Sequence, residues 1–289
     1  MHVYSATLNK MTEERFDFIT TDGTRMSIVR WDYNENPRAI IAIVHGHGEH
    51  KDRYKHVAEY FGRHNINTWA FDHRGHGQSE GRRGHCPVFN LLIDDVEQFL
   101  MQIRNVHNDI PIILYGHSMG GNIAANYLIR RKGKEIKAAI ITDPLFKIAF
   151  EPPKWKVSIG KLMADIWPSL AQPTGLDVKH LSTDISVVEA YTKDPLVHNK
   201  MSAKLFVDIF KAAKFAIEKA MLLPTPTLVM HGEADQITSP EGSKEFAVKN
   251  AEMITLKLWP GMYHEIHNEV DKELVFNYEL DWINRQLAD

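Results

Sequence analysis

The chain has 289 residues, of which 44% are hydrophobic and 25% charged, and its formal net charge is −3. This length allows one large α/β domain with an inserted subdomain, and the composition excludes a disordered chain, a fibrous repeat and a disulfide-stapled miniprotein. The small net charge and the lack of long runs of like charge argue against nucleic acid as a partner.

The cellular setting is predicted from what the chain lacks. Its single cysteine, Cys86, cannot form an intramolecular disulfide and is expected to be a buried small residue rather than a catalytic thiol. The first ten residues lack the basic and apolar regions of a secretory signal. The apolar run Ala39 to Val44 is far below the roughly 20 residues that span a bilayer. We therefore expect a cytoplasmic protein.

In chain order, the predicted elements are an antiparallel hairpin and then alternating strands and helices. Two alternating segments flank an Asp-Gly turn and predict the hairpin at a sheet edge. The later alternation of short apolar strands with amphipathic helices is typical of βαβ units and a parallel sheet. The predicted hairpin strands are 15–20 and 25–31; the later strands are 39–44, 67–71, 111–115, 136–142, 227–230 and 254–258; and the helices are 54–63, 88–106, 120–131 and a last helix with Leu274, Tyr278 and Trp282 on one face.

The alternation stops between about residues 146 and 217, where lysine, proline and scattered aromatic residues are frequent. We predict a helical cap over 146–217, inserted into a core formed by 1–145 and 218–289. The first part of the cap, 146–170, mixes large apolar residues with lysines. This mixture fits two structures equally, a surface that lies on lipid and a lid that roofs a pocket.

The most informative segment runs from Ile112 to Asn122 and reads I-I-L-Y-G-H-S-M-G-G-N. It combines a buried strand, a G-x-S-x-G turn and the start of a helix. Glycines at positions 116 and 120 let strand and helix approach closely, so that the hydroxyl of Ser118 is held out at the carboxyl end of the sheet. This pattern predicts a nucleophilic serine.

A serine hydroxyl is a weak nucleophile, so it needs a base, and the base needs an orienting carboxylate. We assign Asp235 as the carboxylate and His264 as the base, because each follows one of the last two predicted strands. Glu233 in the same loop and Asp143 after an earlier strand remain alternatives for the carboxylate. His267 is a weaker candidate for the base, and we expect it to line the pocket or cap the last helix.

Ester hydrolysis also needs backbone donors for the developing oxyanion. One should be the amide of Met119, which follows the nucleophile, and the other the amide of His47 in the glycine-rich loop after strand 39–44. The same loop reads H-x-H-x-E-H over residues 45–50, which resembles the ligand cluster of binuclear zinc hydrolases. That alternative leaves the serine turn unexplained. The loop 71–79 is predicted to be structural, with Asp72 and Arg74 bonding locally.

At these residues the chain resembles the monoacylglycerol lipase and lysophospholipase-like branch of the α/β-hydrolases. The matching segments extend over most of the chain and are H-G-x-G-E-H at 45–50, F-D-H-R-G-H-G-Q-S at 71–79, G-H-S-M-G-G at 116–121, Y-T-K-D-P-L at 191–196, H-G-x-x-D at 231–235 and Y-H-E at 263–265. The resemblance implies the α/β-hydrolase fold, a mostly parallel sheet flanked by helices with an inserted helical cap. It also implies the triad and oxyanion amides assigned above.

The resemblance further implies residues that bind the substrate, a small acylglycerol ester. Positions matching Glu49, Arg53 and His267 surround the polar end of the pocket, Tyr191 matches a pocket tyrosine, and His117 is expected to line the same pocket beside the nucleophile. The expected reaction is hydrolysis of monoacylglycerol through an acyl-enzyme without cofactor or metal, with a lysophospholipase or a broad carboxylesterase as the alternatives. Peripheral contact with a membrane through the cap is a further expectation.

Overall fold

A computed structural model describes residues 11–133, 135–150 and 154–288. The first ten residues, on which the expectation about a secretory signal depends, lie outside these ranges. The centre is an eight-stranded sheet in the order β1-β2-β4-β3-β5-β6-β9-β10. Its strands are β1 (Thr12–Ile19), β2 (Arg25–Asp32), β3 (Ala39–Val44), β4 (Ile66–Phe71), β5 (Ile112–His117), β6 (Ile136–Thr142), β9 (Thr227–Gly232) and β10 (Ile254–Trp259).

The sheet is mostly parallel, as the sequence pattern predicts. β1 and β2 pair antiparallel at one edge and confirm the predicted hairpin, whereas all pairs from β4 to β10 are parallel. Strands β3, β4, β5 and β9 are buried along their whole length, which explains their continuous apolar sequences. The carboxyl ends of these strands meet at one rim, where the loops after β3, β5, β9 and β10 come together.

Helices cover both faces of the sheet. Two of them, α1 (Lys55–Gly62) and α8 (Lys272–Ala288), pack on one face. The other face is covered by α2 (Phe89–Val106), α3 (Met119–Arg131), α6 (Ala203–Lys219) and α7 (Pro240–Val248). The predicted set did not include α7, a short helix whose proline stands at its first position. Cys86 lies in the core, where burial raises the pKa of its thiol to about 12, in line with a non-catalytic thiol.

The predicted face of the last helix is only partly buried, because Trp282 lies in the core and Tyr278 packs half-buried against it, but Leu274 does not. Leu274 is 58% exposed, whereas Val275, Phe276 and Ile283 are buried against the sheet. Glu279 also lies fully buried on the inner side of this helix. A carboxylate there is not part of an apolar periodic pattern, so the sequence pattern did not predict it.

The segment between β6 and β9 contains more than helices. Besides α4 (Lys154–Ile166) and α5 (Ile185–Lys193), it forms a small antiparallel sheet from β7 (Ala171–Pro173) and β8 (Lys200–Ser202). The sequence pattern did not predict these three-residue strands. The last helix of the segment, α6, packs against α3 and buries Leu205 and Ile209 in the main core. The division into core and cap stays a prediction.

The buried Glu279 gives a prediction about stability. Burial raises the pKa of its carboxyl from 4.5 to about 8, so the folded protein holds a proton there that the unfolded chain releases. The stabilisation that comes from this proton is fully present below the pKa of Glu279 in the unfolded chain. It is lost as the pH rises through the pKa of Glu279 in the folded protein. The Glu279→Gln variant should therefore gain stability relative to wild type, by a few kcal/mol, between about pH 5 and about pH 9.

Urea unfolding of both proteins at several pH values measures this difference. A constant difference in the free energy of unfolding across that pH range would contradict the assignment, because glutamine does not titrate.

Candidate active site

Ser118 stands at the turn between β5 and α3 in a strained backbone conformation. Its φ is 53° and its ψ is −116°, in a region that residues other than glycine rarely adopt. Glycine is required at positions 116 and 120 because neighbouring backbone atoms lie too close for a side chain. A Cβ atom at Gly116 would lie 2.7 Å from the carbonyl oxygen of Gly120, and one at Gly120 would lie 1.9 Å from the carbonyl oxygen of Val44. The turn therefore holds the hydroxyl at the rim of the sheet, as the motif predicts.

Ser118, His264 and Asp235 form one chain of hydrogen bonds at this rim. His264 lies in the loop after β10, and its Nε2 is 3.0 Å from Ser118 Oγ. Its Nδ1 is 2.7 Å from Oδ2 of Asp235, in the loop after β9. All three side chains are buried. The hydroxyl thus has a base within hydrogen-bonding distance, and that base has a carboxylate on its other nitrogen.

The charges around His264 stabilise its imidazole in the protonated form that it takes when it accepts the serine proton. Burial opposes the charge on His264, but the carboxylate of Asp235 outweighs it, and the pKa of His264 is raised above 6.5. Burial alone would raise the pKa of Asp235, yet His264 and His231 keep it well below its usual value. Asp235 Oδ1 also accepts bonds from the amides of Ile237 and Thr238. The carboxylate is therefore held ionised and fixed.

The two alternative carboxylates lie elsewhere. Glu233 is exposed. Asp143 is buried beside the triad, where it accepts a bond from the amide of Gly232 at 2.8 Å. Burial and the nearby Asp235 raise the pKa of Asp143 well above its usual value. Asp235 is thus the ionised carboxylate that contacts the imidazole.

Asp143 also belongs to a group whose ligand atoms, with those of His231 and Asp235, lie within 4.8 Å of one another. Other side chains of the protein already occupy several of the ligand atoms of this group. His231 Nδ1 bonds to the hydroxyl of Ser243 at 2.7 Å, and its Nε2 lies 3.2 Å from Asp235 Oδ2. These contacts suit a buried scaffold around Asp235 better than a metal centre.

The loop after β3 packs against the nucleophile. A Cβ atom at Gly46 would lie 3.2 Å from Ser118 Cβ. Gly48 has a φ of +81°, and any side chain at this position would collide with the carbonyl oxygen of His198. The amide of Gly46 donates to Glu49 Oε1 at 2.6 Å. His47 therefore stands next in the chain at the cavity wall, where an oxyanion donor is needed.

The side chains of the H-x-H-x-E-H motif diverge rather than converge. His45 Nε2 accepts from the amide of His73, His47 Nε2 lies 3.0 Å from the carbonyl oxygen of Lys200, and His50 Nε2 lies 2.9 Å from Asp194. This geometry does not favour the binuclear zinc alternative.

The loop 71–79 follows its prediction only in part. Asp72 bonds locally to the amide of Gln78 and also forms a buried ion pair with Lys51. Arg74 does not bond locally but pairs with Asp22 and Asp95, residues distant in sequence.

One end of the site is a buried ion cluster that surrounds Arg53. Its guanidinium donates to Glu49 at 2.8 Å and to both oxygens of Glu265 at 2.7 Å, and it lies 4.8 Å from the ring centre of Tyr191. Burial would raise the pKa of Glu265, but Arg53 lowers it to about 2. The sequence assignment missed Glu265 as a site residue. The signal was its place directly after His264 in the Y-H-E segment.

The two remaining residues predicted to bind substrate, His117 and His267, differ in their position relative to the cavity. His117 lines the cavity, and its Nδ1 lies 3.0 Å from the hydroxyl of Thr142. His267 is fully buried; its ring stacks on that of Tyr54 with centroids 5.1 Å apart and meets that of His117 edge-on with centroids 4.7 Å apart. His267 thus supports His117 from within the protein, and it is His264 that reaches the serine.

Ser118 opens into a cavity of about 620 Å³. Apolar side chains dominate its wall, and Glu49, Tyr191 and Glu265 mark its polar end. The lining residues come from the loops after β3, β5 and β10 and from the segment between β6 and β9, including Ile148, Ile159, Met163, Val197, Phe206 and Phe210. The size and lining suit a ligand with a long apolar part and a small polar part.

None of the helices within the described ranges combines enough length with enough apolar character to traverse a bilayer. The sheet order, the strained serine turn and the hydrogen-bonded serine, histidine and aspartate together define an α/β-hydrolase. The sequence profile described as serine aminopeptidase, S33, matches residues 35–271. The chain belongs to this family, in the branch of the α/β-hydrolases that contains the monoacylglycerol lipases.

Relatives and solved structures agree with this placement. An uncharacterized abhydrolase domain-containing protein of Dictyostelium discoideum is 36% identical over 96% of this chain, which spans 30% of that relative's length. The monoacylglycerol lipase of Mycolicibacterium smegmatis is 32% identical over 94% of this chain and 97% of its own length. A soluble variant of the Saccharomyces cerevisiae monoglyceride lipase, in complex with a substrate analog, has a TM-score of 0.82 at 26% identity, covering 99% of both chains.

Proposed function

We propose that this protein hydrolyses the ester bond of monoacylglycerols to fatty acid and glycerol through an acyl-enzyme. The observation that carries the proposal is the hydrogen-bonded series of Ser118, His264 and Asp235 at the wall of a largely apolar cavity. The similarity to monoacylglycerol lipases over nearly the whole chain supports the same substrate class.

In the proposed mechanism, Ser118 Oγ attacks the ester carbonyl carbon while His264 Nε2 takes the hydroxyl proton. The amides of His47 and Met119 donate to the oxyanion of the tetrahedral intermediate. His264 then gives its proton to the leaving glycerol oxygen, and the acyl group stays on the serine. A water molecule, deprotonated by His264, releases the fatty acid by the same steps in reverse order.

The charge at the polar end favours a neutral headgroup. The only cation there, Arg53, is saturated by Glu49 and Glu265, and no lysine or arginine occurs among the described cavity-lining residues. A phosphate headgroup would therefore find no free cation, and a substrate ammonium group would find both carboxylates already paired. Glycerol hydroxyls suit this cluster better than a lysophospholipid headgroup or the free amino terminus of a peptide.

A substrate panel tests the proposal. We expect kcat/KM for a 1-acylglycerol to exceed that for the matching lysophosphatidic acid by more than about tenfold, because the paired carboxylates repel the phosphate. Lysophosphatidylcholine, p-nitrophenyl esters of graded chain length and aminoacyl anilides complete the panel. Activity confined to lysophospholipids or to anilides would overturn the monoacylglycerol assignment.

The pH dependence of this reaction is a separate prediction. His264 must be neutral to accept the serine proton, so activity is lost as the pH falls through its pKa, which lies above 6.5. Glu265 contributes to raising that pKa. The Glu265→Gln variant should therefore move the acid limb of kcat/KM to lower pH. The pH profiles of both proteins check this, and a shift to higher pH would contradict it.

We also propose that 146–217 acts as a cap over the cavity and contacts membrane surfaces peripherally. Large apolar side chains of α4 and the residue after it are more than half exposed, among them Trp155, Leu162, Ile166 and Trp167. Such side chains suit a lipid interface. Co-sedimentation with phosphatidylcholine vesicles tests the contact, and equal binding by wild type and Ile166→Ser/Trp167→Ser would exclude these side chains from it. The cytoplasmic location stays a prediction.

A further inference from the structure

A short segment of the predicted cap lies against the loop that carries the proposed base. The segment is 180–183, and the loop follows β10. The amide of His264 donates to the carbonyl oxygen of His180 at 3.4 Å, and the amide of Glu265 donates to that of Leu181 at 2.7 Å. Leu181 also lines the cavity. The main chain at the base is therefore bonded to a segment that forms part of the cavity wall.

The side chain of Glu269 joins the same two stretches a second time. It is 2% exposed, and its Oε1 accepts from the amide of Tyr263 at 2.7 Å. Both of its oxygens lie within 3.2 Å of the amide nitrogen of Thr183, and its Oε2 accepts from the hydroxyl of Thr183. Beside this Glu269 link, the hydroxyl of Ser182 donates to the carbonyl oxygen of Asn268 at 3.0 Å. Because Tyr263 immediately precedes the base, the Glu269 link ends one residue from it.

The Glu269 link requires two acceptor oxygens. Three donors point at the carboxylate, namely the amide of Tyr263 and both the amide and the hydroxyl of Thr183. Glutamine has almost the same size, but one of its two terminal groups is an NH₂ group that only donates. With glutamine at position 269, Tyr263 or Thr183 would face another donor, and the Glu269 link would open at one end.

The reactive position of the base is sensitive to its main chain. The imidazole of His264 must reach Ser118 Oγ at 3.0 Å and Asp235 Oδ2 at 2.7 Å at the same time. A shift of its main chain lengthens at least one of these two bonds, and a displacement of about 1 Å in an active site is enough to cost about a hundredfold in rate. Contacts that fix this main chain therefore affect the chemical step.

We propose that Glu269 is a positioning residue for His264, and that it acts by holding Tyr263 against Thr183. The inference rests on the proposed function, because it takes His264 as the base of that reaction. Glu269 itself does not touch the reacting atoms. The place of the base then depends on 180–183, a part of the predicted cap, as well as on the loop after β10.

Steady-state kinetics of Glu269→Gln with p-nitrophenyl butyrate test the proposal. We expect kcat to fall by at least about tenfold and KM to stay within about twofold, because the base is displaced while the cavity keeps its lining. Glu279→Gln is the matched control, since it replaces another buried carboxyl and should change stability without changing kcat. Circular dichroism gives the folded fraction of each variant, to which kcat is referred. A kcat of folded Glu269→Gln within about twofold of wild type would overturn the proposal.

Two variants at Thr183 separate positioning from packing, and they decide the matter if Glu269→Gln does not fold. Thr183→Val keeps the shape of the side chain but lacks the hydroxyl donor, whereas Thr183→Ser keeps the donor and lacks the methyl group. Because Thr183 is exposed, both variants should fold. We expect kcat to fall about fivefold in Thr183→Val and to be retained in Thr183→Ser. The opposite order would assign the contact to packing and refute the positioning role.

Hydrogen exchange measured by mass spectrometry reports on the Glu269 link without any substrate. In Glu269→Gln, the peptides that cover 180–184 and 262–266 should both exchange about tenfold faster than in wild type, while those of β5 stay unchanged. Unchanged exchange in either of the two peptides would overturn the link. A wild-type protein that hydrolyses p-nitrophenyl butyrate but no monoacylglycerol would refute the proposed substrate alone, because neither the ester kinetics nor the exchange depends on it.

Discussion

Replacing Ser118 with alanine should lower turnover of a monoacylglycerol by roughly 10⁵- to 10⁶-fold, because the variant lacks the oxygen that forms the acyl-enzyme. A small residual rate remains, since backbone donors and the cavity still bind the substrate in a favourable geometry. The fold should persist, because alanine is smaller than serine and the neighbouring glycines keep the turn. Steady-state kinetics with a purified 1-acylglycerol measure the loss.

Ser186→Ala on α5 is the matched control, because Ser186 is exposed and does not line the cavity. It should keep the wild-type rate. Turnover of Ser118→Ala within tenfold of wild type would exclude the proposed nucleophile.

The second large effect is expected at Asp235. The Asp235→Asn variant should lose about 10⁴-fold in kcat, because an amide neither fixes the reactive tautomer of His264 nor stabilises its charged form. Asp143→Asn should stay within about tenfold of wild type, because burial and Asp235 raise the pKa of the Asp143 carboxyl and its Oδ1 acceptor for the amide of Gly232 is retained.

The two variants form a matched pair, because both carboxyls are buried within the same group and both changes are nearly isosteric. Kinetics and thermal unfolding of both proteins separate a catalytic from a structural loss. A larger drop in kcat for Asp143→Asn than for Asp235→Asn would reverse the assignment of the carboxylate.

Much of the fold was predictable because local chemistry and global structure agree. The Asp-Gly hairpin, the buried parallel strands and the serine turn each have a short-range signal that the tertiary structure leaves intact. The last helix shows the opposite case. Glu279 is buried on its inner face, where an apolar period does not predict a carboxylate, and Leu274 is exposed although it shares a face with the buried Trp282.

Parts of the site depend on contacts that sequence alone does not contain. Arg74 pairs with Asp22 and Asp95, and Glu265 pairs with Arg53 more than two hundred residues away. No local pattern specifies such partners. The three-residue strands β7 and β8 are too short for an alternating pattern, and their pairing joins segments that lie about thirty residues apart in the sequence.

The proposed nucleophile is tested most directly by covalent labelling. Wild-type protein is treated with a fluorophosphonate, and the adduct is located by intact-mass measurement and peptide mapping. We predict one adduct per chain, on Ser118, formed in the presence of a metal chelator and accompanied by complete loss of ester hydrolysis; His264→Ala should label far more slowly. Hydrolysis that continues in fully treated protein, with Ser118 unmodified, and that stops only when a chelator is added, would contradict the proposed mechanism.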